Sequence, residues 1–224
     1  MNASAGRKRR RSCCRPFRAW RREGTGRSDV KGKIFFRGGK AVCKAAVLFA
    51  QGFEEVEALT PVDFMRRAGI EVTMAGVGGD RIKGGHSILV EADTPIGPLD
   101  PGEYDAVVLP GGMPGAENIA ASAEAVAFIK AVYEKGGLVA AICAAPAVVL
   151  DPLGILKGRR ATCYPGFESR FRDAVFTEER VVLDGKVITS RGPGSAAEFA
   201  LAIIRYLKDE EVAEKLRRAT LQPV

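Results

Sequence analysis

The sequence predicts one α/β domain, built on a mostly parallel sheet with helices on both faces. Three observations carry this reading. Short, wholly apolar runs of buried-strand type recur along the chain, helical stretches separate them, and glycine or proline marks most of the junctions. Ala45–Ala50 is the first such run, and Gln51-Gly52 ends it. Glu54 to Ala68 reads as a helix with Val56, Leu59, Val62, Phe64 and Met65 as its apolar residues; Pro61 should kink it or confine its regular part to the second half. Gly69 stops that helix and Ile70–Ala75 forms the next strand, which completes a βαβ unit of about 30 residues.

The alternation continues through strand Asp105–Leu109, helix Ala123–Glu134, strand Leu138–Ile142 and a short helix Ala144–Leu150. Arg180–Leu183 and Lys186–Ser190, joined by Asp184-Gly185, predict a hairpin. Ser195–Leu207 is a long helix whose Ser195 and Glu198 have capping-box spacing, and Asp209–Ala219 is a last, charged helix.

Length and charge narrow the function classes. A chain of 224 residues suffices for one well-cored domain. No apolar run approaches the roughly 18 residues that cross a bilayer, so no membrane association is expected. The net charge of +7 is uneven: residues 1–40 hold 14 Lys or Arg against Glu23 and Asp29, a balance of +12, which leaves residues 41–224 at −5. Nucleic-acid binding by the folded part is therefore not expected.

Residues 1–40 are set apart as a basic leader, with the domain spanning residues 41–224. An Arg-rich, acid-poor leader is compatible with a disordered tail, a start site placed too far upstream, a nuclear address or an organellar transit peptide. The five cysteines (Cys13, Cys14, Cys43, Cys143 and Cys163) form no CxxC or zinc-type pattern with the single histidine, His86. That usage fits a reducing compartment, the cytoplasm, or an organelle if the leader is a transit peptide. No metal is expected on that pattern, and no dinucleotide or P-loop cofactor, because no glycine cluster spells GxGxxG or GxxxxGK[ST].

In a parallel sheet, sites form at the carboxyl ends of the strands. Three segments should meet there: Gly52 to Glu57, Leu109 to Gly115, and Ala141 to Pro146. Cys143, between a buried strand and a helix, would sit at the positive helix end, where N–H groups favour the nucleophilic thiolate. A small buried hydrophobe is the alternative reading of that cysteine. Glu57 could present a protonated carboxyl to the sulfur and move protons, although dipole complementarity would place Glu54 or Glu55 there equally well. Gly111 and Gly112 offer backbone N–H groups at close approach to an oxyanion, or simply a turn. Arg191 and Pro193, between a strand and a helix, are candidate pocket walls or a plain helix entry. His86 reads as a surface residue, while Cys163 and Tyr164 line the pocket or the core.

Taken together and in order, Gly52-Phe53-Glu54-Glu55-Val56-Glu57, Pro61-Val62-Asp63, Arg66-Arg67-Ala68-Gly69, Leu109-Pro110-Gly111-Gly112, Ala141-Ile142-Cys143-Ala144-Ala145-Pro146 and Ser190-Arg191-Gly192-Pro193-Gly194 resemble the DJ-one branch of the ThiJ/PfpI superfamily. The resemblance spans about residues 44 to 218. It implies a flavodoxin-like (class I glutamine amidotransferase-like) sandwich, a homodimer and a cysteine on a nucleophile elbow. It also implies Cys143 and Glu57 as catalytic residues, with Gly112 and the backbone at Ala144 as oxyanion donors. The activity it implies is a cofactor-independent glyoxalase or deglycase acting on methylglyoxal-like α-oxoaldehydes or their adducts, in oxidative and carbonyl stress. The alternative it implies is a redox-sensing or chaperone protein whose Cys143 is oxidised to a sulfinate.

Two departures stand out. Many members carry histidine where Tyr164 precedes Pro165. Peptidase-like members carry histidine directly after the cysteine, where this chain has Ala144, so a Cys-His peptidase is not expected. The first helix, Val56 to Met65, is the candidate dimer face.

Overall fold

The computed structural model describes residues 43–223. Its centre is a seven-stranded sheet ordered β10-β11-β7-β6-β1-β2-β5. The strands are β1 (Lys44–Ala50), β2 (Glu71–Val77), β5 (Thr94–Pro95), β6 (Ala106–Leu109), β7 (Leu138–Ile142), β10 (Val181–Asp184) and β11 (Val187–Ser190). All neighbours run parallel except β10 with β11, the hairpin expected at Asp184-Gly185. The mostly parallel sheet predicted from the apolar runs is thus the observed one. Every residue of β6 and β7 is buried, as a strand covered on both faces requires.

One face is covered by α1 (Glu55–Arg67), α4 (Ala196–Leu207) and α5 (Glu210–Ala219), the other by α2 (Gly115–Ala121) and α3 (Ala123–Glu134). Two cores result. The first joins Val47, Phe49, Val62 and Met65 to Phe199 and Ile203. The second joins Leu48, Val107 and Leu109 to Ile119, Phe128 and Ile129. Alternate residues of β1 feed opposite cores, following the period-two direction of strand side chains.

Some expectations are corrected. Helix α1 runs through Pro61 from Glu55 without interruption, so the proline does not confine the helix to its second half. The segment after Cys143 is not a regular α-helix: Cys143 and Ala144 form a turn, and Pro146–Leu150 is a π-helical turn closed by the Asp151 N–H on the Pro146 carbonyl. The Ser195 capping box does not form. Ser195 Oγ bonds the Gly192 carbonyl and Ser190 Oγ instead, and Glu198 pairs with Arg180. On α1, the candidate dimer face, Val56 is exposed and Leu59 half-buried, while Val62, Phe64 and Met65 are buried; that face is left as an expectation.

The short elements β3 (Arg81–Lys83), β4 (Leu89–Glu91), β8 (Arg160–Ala161) and β9 (Val175–Phe176), with β5 and α2, complete the fold. The first four form two small two-stranded sheets. Among the described residues no helix is long and apolar enough to cross a membrane. The basic leader of residues 1–40 lies outside the described residues.

Candidate active site

The carboxyl ends of β1, β6 and β7 deliver the three predicted segments to one place, and glycines lock them together. The Glu54 N–H donates to the Gly111 carbonyl (3.0 Å), and the Gly115 N–H to the Gly52 carbonyl (3.2 Å). Gly112 has φ +85°, and a Cβ on it would stand 2.4 Å from Glu54 N and 2.5 Å from the Gly52 carbonyl oxygen. A Cβ on Gly111 would stand 2.5 Å from Cys143 Cβ and 2.7 Å from Glu57 Oε2. No larger residue fits at either position without moving backbone or the thiol itself.

Cys143 has φ +66°, a left-handed backbone that non-glycine residues rarely adopt. Two long-range bonds hold it there: its N–H donates to the Ser190 carbonyl, and its own carbonyl accepts the Tyr164 N–H, both at 2.9 Å. The strained turn follows directly on the buried strand β7, the strand-to-helix setting in which nucleophile elbows occur. The N–H groups of Gly112 and Ala144 both act on the sulfur.

Among the three glutamates, the structure chooses. Glu57 is wholly buried; its Oε2 accepts the Gly111 N–H at 2.9 Å, and its carboxyl is the hydrogen-bond partner of the Cys143 thiol. Its Oε1 is buried with no hydrogen-bond partner. Glu55 instead accepts from the His86 N–H (2.7 Å) and pairs with His86 Nδ1 (2.8 Å), with Glu54 3.4 Å from the same nitrogen. Glu54, Glu55 and His86 place ligand atoms within 4.8 Å of one another, and these mutual bonds account for the grouping. His86 is on the surface, as read from the sequence.

Burial pushes the Glu57 carboxyl up to about 7, against the pull of the Cys143 and Gly111 hydrogen bonds. Burial, and then the Glu57 carboxylate, push the Cys143 thiol well above its usual range, while the Gly112 and Ala144 N–H groups pull it down. The N–H groups expected to favour thiolate are present and pull in that direction, but burial and the neighbouring acid outweigh them. No regular helix starts at this turn, and an adjacent carboxylate opposes a second negative charge. Thiol and acid therefore behave as a coupled pair, giving up one proton near neutrality and holding the other far more tightly. With the remaining proton on Glu57, the acid can donate to sulfur.

The other site candidates divide. The Tyr164 ring lies against Gly192, beside Glu57. Pro193 is exposed. The Arg191 guanidinium donates to the Glu178 carbonyl (3.1 Å) and acts on Cys163 rather than on Cys143. Cys163 is core: wholly buried, its thiol is pushed up to about 12 by that burial. Residue reasoning missed Ser190 and Ser195, whose hydroxyls meet at 2.7 Å under the carbonyl that anchors Cys143. Only pairing across the fold reveals them.

With that geometry in place, the family model for the DJ-1/PfpI family matches residues 43–206. The chain belongs to this family. "Protein DJ-1 homolog B" of Arabidopsis thaliana is 40% identical over 176 residues, 78% of this chain but 40% of that protein, so the chain spans less than half of that relative's length. A deglycase of Pyrococcus abyssi is 33% identical over 74% of this chain and 99% of its own length. The solved structure of oxidized Toxoplasma gondii DJ-1 superposes with TM-score 0.79 at 40% identity, covering 82% of this chain and all of that one. The flavodoxin-like fold of these neighbours is the fold observed.

Proposed function

We propose that this protein is a cofactor-independent, cysteine-dependent enzyme that converts methylglyoxal-like α-oxoaldehydes, or releases their adducts, with Cys143 as nucleophile. The observation that carries the reading is Cys143 on its strained elbow, between a buried acid and two N–H groups. A family member named as a deglycase supports the reaction class.

The Cys143 sulfur bonds the aldehyde carbon, and the proton of the pair moves to the new alkoxide, giving a hemithioacetal. The Gly112 and Ala144 N–H groups hold the developing oxyanion. Glu57, now ionised, removes the hydrogen from that carbon and returns it to the neighbouring carbonyl carbon, while the hydroxyl proton passes to that neighbour's oxygen, leaving a 2-hydroxyacyl thioester. Water then breaks the S–C bond and restores the thiol, so methylglyoxal plus water becomes lactate with no outside oxidant. Burial raises the acid toward neutrality, which suits a group that must both accept and donate.

In this reading the working unit is a homodimer without metal, the basic leader is an appendage, the role is in carbonyl stress and the compartment is the cytoplasm. The second reading, a switch in which peroxide oxidises Cys143 to a sulfinate that Glu57 holds, draws on the buried carboxyl beside sulfur and on the oxidized state named for the Toxoplasma relative. Methylglyoxal turnover with lactate detected directly, wild type beside Cys143→Ala, separates the two. The enzyme gives lactate from the wild type alone, with the variant still folded. No lactate from either, with peroxide oxidising Cys143 ahead of Cys163, assigns the switch.

A further inference from the structure

We propose that Tyr164 is the specificity-determining residue of this site, favouring α-oxoaldehydes that carry a planar aryl substituent over those carrying a methyl group. The proposal rests on reading Cys143 as the nucleophile that accepts the aldehyde carbon. That carbon, once bonded to sulfur, has three other bonds. Its oxygen turns to the N–H groups of Gly112 and Ala144, and its hydrogen must face Glu57. The acyl substituent takes the direction that remains, and the wall available to it is Gly192 with the Tyr164 ring.

The geometry of that wall is specific. A Cβ on Gly192 would stand 3.1 Å from Tyr164 Cδ2, 3.4 Å from Cε2 and 3.8 Å from the unpartnered Glu57 Oε1. The ring and the buried acid oxygen therefore border the same stretch of backbone, and the ring packs on it closely because residue 192 has no side chain. Tyr164 is also fixed at its base and from behind. Its N–H is tied to the Cys143 carbonyl, its own carbonyl accepts the Phe167 N–H at 3.0 Å, and Phe167 meets its ring edge-on at 6.5 Å. The Arg170 guanidinium covers the Phe167 ring at 4.9 Å. Tyr164 nevertheless remains 45% exposed. A propped, half-exposed ring next to the buried acid, on the residue hydrogen-bonded to the Cys143 carbonyl, offers a stacking or edge contact to an aryl group that a methyl group cannot use.

The test compares alkylation of Cys143 by N-phenyl-iodoacetamide and N-methyl-iodoacetamide, read by peptide mass, in wild type, Tyr164→Phe and Tyr164→Ala. Each reagent forms an S–C bond and expels iodide, so no turnover is needed. The phenyl-to-methyl rate ratio should fall about 3- to 10-fold in the alanine variant and stay within about twofold of wild type in the phenylalanine variant. An unchanged ratio in Tyr164→Ala overturns the proposal. So does an equal loss toward both reagents, which marks a structural role, or a phenylalanine variant that behaves like alanine. Hydroxy-acid formation from phenylglyoxal and methylglyoxal is followed in parallel. Absence of both products sinks the enzymatic reading, and the alkylation ratio still decides the role of Tyr164.

Discussion

The centre of the sheet and one of its edges solve opposite problems. At the carboxyl ends of β1, β6 and β7, a buried acid faces a half-buried thiol, and glycines are packed so closely that a single methyl group collides with backbone. Along the edge formed by β10 with α4 and α5, charge is plentiful and mostly exposed. Arg180 pairs with Glu198, Arg205 with Glu210, and Glu214 with both Arg217 and Arg218. The lesson is one of environment. The edge holds many charges in water, where pairing changes little. The site holds one acid away from water, where burial shifts its proton affinity into the range useful for catalysis.

Substitutions should separate the two regions sharply. Gly112→Ala should cut turnover by about 100-fold or more by displacing an oxyanion donor. It should also destabilise the fold by a few kcal/mol, since the left-handed backbone costs about 1–2 kcal/mol for a residue with a Cβ and overpacking adds about 1–3. Steady-state kinetics with urea denaturation would show both, and a fully active Gly112→Ala would break the contrast.

Glu57→Gln comes next. The Glu57 carboxyl is raised from 4.5 to about 7 on folding, so its contribution is intact below pH 4.5 and is lost as pH rises through 7. Between pH 4 and 8 the wild type should lose about 3 kcal/mol relative to Glu57→Gln. Denaturation of both proteins at the two pH values measures this, and parallel pH dependences would contradict it. Glu198→Gln, which removes the exposed partner of Arg180, should shift a thermal melt by less than the experiment resolves.

The same contrast explains what could be read from sequence. Buried strands such as Ala45–Ala50 and Leu138–Ile142 are legible because a sheet covered on both faces demands unbroken apolar runs. The small strands Arg81–Lys83 and Leu89–Glu91 are not, since their three residues each are mostly exposed and sit among glycines. Cys143 and its two neighbouring segments were legible from position at the sheet edge. The choice of Glu57 over Glu54 and Glu55 was legible through the family resemblance and not through spacing, because all three lie within one turn of a helix start. It depends on His86, 31 residues from Glu55, which engages the other two. Ser195 shows the same limit: its spacing to Glu198 fits a cap, but Ser190 and Gly192 claim the hydroxyl.

The central claim is that Cys143 and Glu57 titrate as one pair. The most direct measurement is the pH dependence of Cys143 alkylation by iodoacetamide from pH 5 to 10, in wild type beside Glu57→Gln. The account predicts that wild-type reactivity rises through a step near pH 7 as the pair gives up its first proton, and that this step is missing in the glutamine variant. Superimposable profiles would contradict it, and would leave Cys143 a thiol that titrates alone.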